Sequence, residues 1–319
     1  MNKNLKHFIC INLTVFILLI AALEYFAYLK YQKQVSTLMA LHSKMLSTKL
    51  TLKYTLPKKF DINDYSVRFR ATEGTKKNKR PIIFIGCSYT VGEGLSDTQK
   101  IDYKISKLTG RTTYSRAISG GGPQMALFQF KKGMIKKDIP DAQFIIYTYV
   151  PDHAYKTLEY RLSYLSTRLN LRYEKNHNHQ LSEVKPFLPI LYSSFLVKTI
   201  QNNITDYKIE KLNKEGKTFE TFNLIMSELM KYSKKEYPDS KFIILEYPDH
   251  YIKLSKLKSP NFTKEEKKYL ESLGFIVINA EELTGKNLYS LEYRAEDKDH
   301  PNEKAWDEIA PKLIKKLNL

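Results

Sequence analysis

The sequence predicts an open α/β fold, a parallel sheet lying between two helical layers, and three observations carry that reading. Short apolar runs recur at 81–85, 143–150, 241–247 and 275–279, and runs of this length suit strands buried on both faces. Segments with helical spacing separate them, as the crossovers of a parallel sheet require. The first run stops at Gly86 with a hydroxyl side chain, Ser88, just beyond it, and the carboxyl ends of strands are where open α/β sheets place their chemistry.

Composition narrows the classes. A chain of 319 residues with 42% hydrophobic content is long enough for one large domain or two small ones and excludes disorder throughout. Two cysteines, Cys10 and Cys87, exclude a disulfide framework and a structural zinc cluster of the usual kind. A formal charge of +18 attracts anionic partners. The lysines are nevertheless scattered in ones and twos, with no zinc finger, recognition helix or aromatic RNA-binding strand among them. A solvated basic surface is expected, with anionic membrane or glycan contact as the alternative and no nucleic-acid partner.

Residues 8–29 are apolar except for Asn12 and Glu24, and the stretch is as long as a span of the hydrocarbon core requires. Lys3 and Lys6 precede it, and no small-x-small cleavage site closes it. An uncleaved signal-anchor is therefore expected over a cleaved signal peptide or a buried soluble helix. Lys30, Lys33 and Lys44 nearly cancel the charge asymmetry that fixes topology; the short N-terminal tail favours a single-pass protein with its bulk outside the cytoplasm. The expected organisation is a cytoplasmic tail and anchor over 1–29, a polar lysine-rich stalk over 30–79, and a globular domain over 80–319.

Within that domain, Gly92 and Gly94 let the chain curl after Ser88. Ser96 is placed to cap a helix carrying Ile101, Ile105 and Leu108, which Gly110 ends. A second strand is expected over 112–118, running into Ser119-Gly120-Gly121-Gly122-Pro123 and a helix with Met125, Phe128 and Met134. The third strand ends at Pro151-Asp152-His153 and the fourth at Pro248-Asp249-His250. Between these two lie about ninety residues, more than one crossover helix needs. This largely helical insert, 154–236, has helical pattern over 154–170 and 217–235 and is expected to cap the carboxyl edge of the sheet. The fifth strand leads towards Asp297-Lys298-Asp299-His300-Pro301-Asn302, and a last helix buries Trp306, Ile309, Ala310, Leu313 and Ile314.

A serine hydroxyl becomes a useful nucleophile only beside a base that a third group orients. Ser88, His300 and Asp297 fit those roles, since two intervening residues allow Asp297 to hold one ring nitrogen of His300 while the other faces Ser88. An oxyanion needs donors aimed at it beforehand, and the backbone amides of Ser88 and Gly120 are the candidates. Asp152 and His153 are the side chains available as a third donor. Cys87 is an alternative nucleophile, but a small buried residue beside the hydroxyl is the simpler reading. His153 and His250 with Asp152 and Asp249 lack metal-ligand spacing, so no metal is expected. His177 and His179 read as an exposed loop.

These segments resemble the SGNH (GDSL-like) hydrolase superfamily. Gly86-Cys87-Ser88-Tyr89-Thr90-Val91-Gly92 is similar to its first block, Ala117 to Pro123 to its second, and Asp297 to Asn302 reproduces its D-x-x-H-P-N block in full. The likeness runs over about residues 81–317 with the insert unmatched. Cys87 stands where the family usually has aspartate, and Asp152-His153 where it usually has asparagine in a G-x-N-D block. The resemblance implies a flavodoxin-like three-layer α/β/α sandwich with a five-stranded parallel sheet, acting on an ester of an acyl glycan, a lipid or a small alcohol. Ser88 would be its nucleophile, His300 its base, Asp297 the orienting group and Gly120 an oxyanion donor, with no cofactor. O-acyl transfer between envelope glycans uses the same residues and is one alternative; a catalytically silent SGNH-like binding domain is the other.

Overall fold

The computed structural model describes residues 70–157, 173–175, 181–183, most of 207–248, and 262–319 apart from residue 298, together with Leu19, Ile20, Ala22, Leu23 and Tyr25 in helix. The expected signal-anchor and stalk, much of the insert, and His177, His179, Asp249 and His250 fall largely or wholly outside these residues. Among the described residues no helix is long and apolar enough to cross a membrane.

Six strands form the main sheet: β1 (Arg70–Thr72), β2 (Ile82–Ile85), β3 (Thr113–Ser115), β4 (Phe144–Tyr149), β5 (Lys241–Glu246) and β6 (Ile276–Asn279). Their order is β1-β3-β2-β4-β5-β6. The pairs from β3 through β6 are all parallel, whereas β1 runs antiparallel to β3 with Arg70 opposite Ser115. The expectation of five parallel strands alone is thus corrected by one antiparallel edge strand. β1 lies in the stretch assigned to the stalk, so the sheet begins ahead of the expected domain boundary at residue 80. Only three residues long and partly exposed along its length, β1 has no apolar run to announce it. What secures it is the Arg70 guanidinium, whose Nε donates to Asp102 Oδ2 at 2.7 Å from a carboxylate with 0% exposure.

The pleat explains the layers, because alternate residues of a strand face opposite sides. Ile82, Phe84, Phe144, Ile146, Ile243 and Leu245 face α2 (Ile101–Thr109) and the last helix, Glu303–Leu317, whose Trp306, Ile309, Ala310 and Leu313 complete that core. Ile83, Ile85, Ile145, Tyr147, Tyr149, Phe242 and Ile244 face the opposite side, against α3 (Pro123–Lys131) and the insert helix Glu220–Glu236. The insert helix overlaps the expected 217–235 pattern. It supplies Phe222, Ile225, Met226 and Leu229 to the sheet's core.

Local departures have local causes. Ser96 caps a 3-10 turn, Asp97–Gln99, by accepting Gln99 into a reciprocal arrangement in which the Ser96 amide donates to Gln99 Oε1 at 2.9 Å, and α2 starts only after it. Met134 opens a separate short helix, α4 (Met134–Asp138), instead of extending α3. The chain leaves β2 towards β3 on one side and returns to β4 on the other, so the loops after β2, β3 and β4 converge at a topological switch point.

Candidate active site

The site begins with the bend after β2. Gly86 has φ +147°, and a Cβ there would come within 2.4 Å of Thr90 Oγ1; no other residue fits this turn without displacing its neighbour. Cys87 is buried beneath it, and Ser88 opens α1 (Ser88–Val91), which ends at Gly92 in the left-handed region. The bend leaves the Ser88 side chain at the rim of the sheet.

From the far end of the chain, His300 meets it. His300 Nε2 lies 2.8 Å from Ser88 Oγ, and His300 Nδ1 lies 2.5 Å from Asp297 Oδ2. Asp297 Oδ1 accepts the amides of Asp299 at 2.9 Å and His300 at 3.0 Å, a local turn that fixes the ring against its carboxylate. Asn302 then starts the last helix by accepting the Ala305 amide at 3.1 Å, while its Nδ2 donates to the carbonyls of Glu292 and Arg294. The three residues named from the sequence are therefore brought together, Asp297 with His300 by a local turn and His300 with Ser88 by a contact spanning more than half the chain.

The surrounding charges set the protonation of the pair. Burial alone would raise the Asp297 carboxyl, but the hydrogen bond and charge of His300 and the amides of His300 and Asp299 bring it down to about 2. Burial would likewise push His300 down; the hydrogen bond and charge of Asp297, with the charges of Glu93 and Asp299, outweigh it and hold the imidazole above its ordinary value. Asp299 is raised by burial and by the charge of Asp297.

The second loop packs closely on the first. The Ile118 amide donates to the Gly86 carbonyl at 2.9 Å, and the Gly121 amide donates back to Ile118 at 2.8 Å, which puts the exposed Gly120 on the tip of a tight turn beside Ser88's bend. Neither the Ser88 nor the Gly120 amide has a hydrogen-bond partner among the described residues. The two candidates for a third donor part company. Asp152 opens α5 (Asp152–Lys156) with its side chain 31% exposed. His153 is fully buried, its Nδ1 2.6 Å from the Tyr147 hydroxyl and its ring against Tyr147 and Tyr149, so it belongs to the α3 side of the core and is not presented at the rim. Among the described residues no cluster of His, Cys, Asp or Glu could hold a metal ion.

Two residues of the site were not singled out in the sequence. Tyr89, next to Ser88, donates its hydroxyl to the Asp299 carbonyl at 2.6 Å and lies with its ring 5.3 Å from that of His300. Glu93 places Oε2 3.6 Å from His300 Nε2. Its only advance signal is a charged residue held between two glycines immediately after the nucleophile turn.

No protein-family model matches the sequence, and no curated protein matches it. Solved structures to which the chain is similar include a lipase from a goat rumen metagenome, at 11% identity and TM-score 0.42, covering 74% of this chain and 97% of that one. Another is phospholipase A1 of Streptomyces albidoflavus, at 12% identity and TM-score 0.38, covering 74% and 99%. A third is a salicylyl-acyltransferase from a tetracycline biosynthetic pathway, at 10% identity and TM-score 0.43, covering 75% of this chain and 54% of that one.

Proposed function

We propose that this chain is a serine esterase of SGNH (GDSL-like) type, cleaving an acyl ester through Ser88, His300 and Asp297. The observation that carries the reading is the 2.8 Å approach of His300 Nε2 to Ser88 Oγ, with the Asp297 carboxylate on the other ring nitrogen. The sequence blocks that resemble the superfamily support the same assignment.

In this reading Asp297 keeps Nδ1 in its N–H form, which leaves the Nε2 lone pair for the serine proton. Ser88 Oγ attacks the ester carbonyl carbon as its proton passes to Nε2. The carbonyl oxygen takes up the negative charge against the amides of Ser88 and Gly120. Collapse expels the alcohol, which leaves with the proton from Nε2, and the acyl group stays on Ser88. Water then repeats the sequence, giving up a proton to His300 and releasing the acid. A sugar hydroxyl in place of water would complete acyl transfer instead. Asp152, an acceptor when ionised, does not replace the asparagine donor the resemblance implies, so the oxyanion rests on backbone donors. We further propose that residues 8–29 anchor the protein in a membrane, that 30–69 form its stalk, and that the domain acts outside the cytoplasm on acyl glycans or lipids.

A fluorophosphonate probe tests the reading, because it phosphonylates only a serine activated by a neighbouring base. Labelling of the wild-type chain that disappears in Ser88→Ala is the expected result. A folded wild type that takes no label would replace the esterase with a silent binding domain.

A further inference from the structure

Glu93 is a carboxylate the triad chemistry does not use. Its backbone is pinned in the turn that ends α1: the Glu93 amide donates to the Ser88 carbonyl at 3.2 Å, and the Leu95 amide to Gly92 at 3.1 Å. The side chain is 26% exposed and its Oε2 stands 3.6 Å from His300 Nε2, the nitrogen that faces Ser88 Oγ. It makes no hydrogen bond with any other described side chain. A half-buried carboxylate with free acceptor capacity is thus aimed at the one atom to which an ester's alcohol oxygen must come.

The geometry points to Glu93 as the residue that selects the alcohol portion of the ester, accepting a hydrogen bond from a neutral, hydroxyl-bearing alcohol such as a glycan and rejecting an anionic one. This rests on the esterase reading and narrows it. The leaving oxygen takes its proton from Nε2, so the groups flanking that oxygen pass within reach of Glu93. A carboxylate is acceptor only: a neighbouring hydroxyl meets it favourably, whereas a carboxylate or phosphate on the same alcohol would face the like charge of Glu93 on the Nε2 side of the ring. Arg294, whose charge reaches Asp299, spends its guanidinium on the Tyr289 carbonyl and ring. Like charges brought together at an interface are a standard means of excluding the wrong partner.

The test compares kcat/KM of the full chain and of Glu93→Gln and Glu93→Ala on three acetyl esters: an acetylated methyl glucoside, the matching acetylated glucuronide, and 4-nitrophenyl acetate, which offers no hydroxyl. Wild type should prefer the glucoside to the glucuronide by about 10- to 100-fold, the worth of a charged contact. Glu93→Gln should shrink that ratio about tenfold by removing the charge. Glu93→Ala should in addition lower the rate on the glucoside relative to that on 4-nitrophenyl acetate, whatever the wild-type ratio of the two. Unchanged ratios in both variants, with Ser88 still labelled by fluorophosphonate, would overturn the assignment and leave the esterase reading standing. Loss of labelling in Glu93→Gln would show that Glu93 serves the chemistry and not selection, and an unlabelled wild type would remove both readings together.

Discussion

His300 is held between carboxylates on both edges of its ring, and its behaviour with pH follows from that placement. Only the neutral imidazole accepts the Ser88 proton, and Asp297, Glu93 and Asp299 each favour the charged form. A base whose pKa is raised stays protonated to higher pH, so kcat/KM should climb only as pH passes a value above that of a free imidazole. Recording kcat/KM against pH for a small acetyl ester checks this, and Glu93→Gln should move the acid limb downwards by removing one of the three charges. Asp297→Asn is more severe, because an amide can hold the ring in the wrong tautomer: a loss of roughly 10³- to 10⁴-fold in kcat is expected, with the protein still folded. An Asp297→Asn variant that keeps most of its rate would mean that Asp297 does not orient the base.

At the scale of elements, the nucleophile turn and the His300 loop reach each other through Tyr89 as well as through the reacting pair. Its hydroxyl holds the Asp299 carbonyl while its ring rests on Tyr247, which in turn lies against Trp306 of the last helix. Tyr89→Phe keeps the aromatic packing and removes one hydrogen bond, so urea denaturation should show a loss of about 1 kcal/mol. If Tyr89 also positions the loop, kcat should fall with KM little changed, an effect that simple loss of stability would not produce. Such long-range ties are what sequence reading misses. Ser88, His300 and Asp297 were legible because their chemistry demands particular residue types in short blocks, and β2, β4, β5 and β6 because strands packed by helices on both faces read as mostly apolar runs. Tyr89 looked like any core aromatic and Glu93 like any turn residue; their partners lie some two hundred positions away, and only folding pairs them. His153 was misplaced for the opposite reason, since its position after β4 suggested the rim while its affinity for Tyr147 and Tyr149 took it inward.

Over the whole molecule, the edge of the sheet was the least legible feature and is open to a direct test. β1 contributes little apolar area, so its attachment depends on polar contacts, chiefly Arg70 with Asp102 of α2. The carboxylate has 0% exposure and the guanidinium side chain 19%. Breaking such a pair from one side leaves a buried charge without its partner, which costs about 3–5 kcal/mol. A second arginine–aspartate pair, Arg80 with Asp141, has comparable geometry at 2.7 Å but side-chain exposures of 38% and 53%, where an ion pair is worth about 0–1 kcal/mol. Arg70→Met and Arg80→Met therefore remove the same chemical group in opposite surroundings. Urea unfolding should show a large fall in midpoint for the first and a small one for the second. Equal small losses would mean that Asp102 is not sealed and that β1 does not close the sheet, returning residues 70–72 to the linker the sequence suggested.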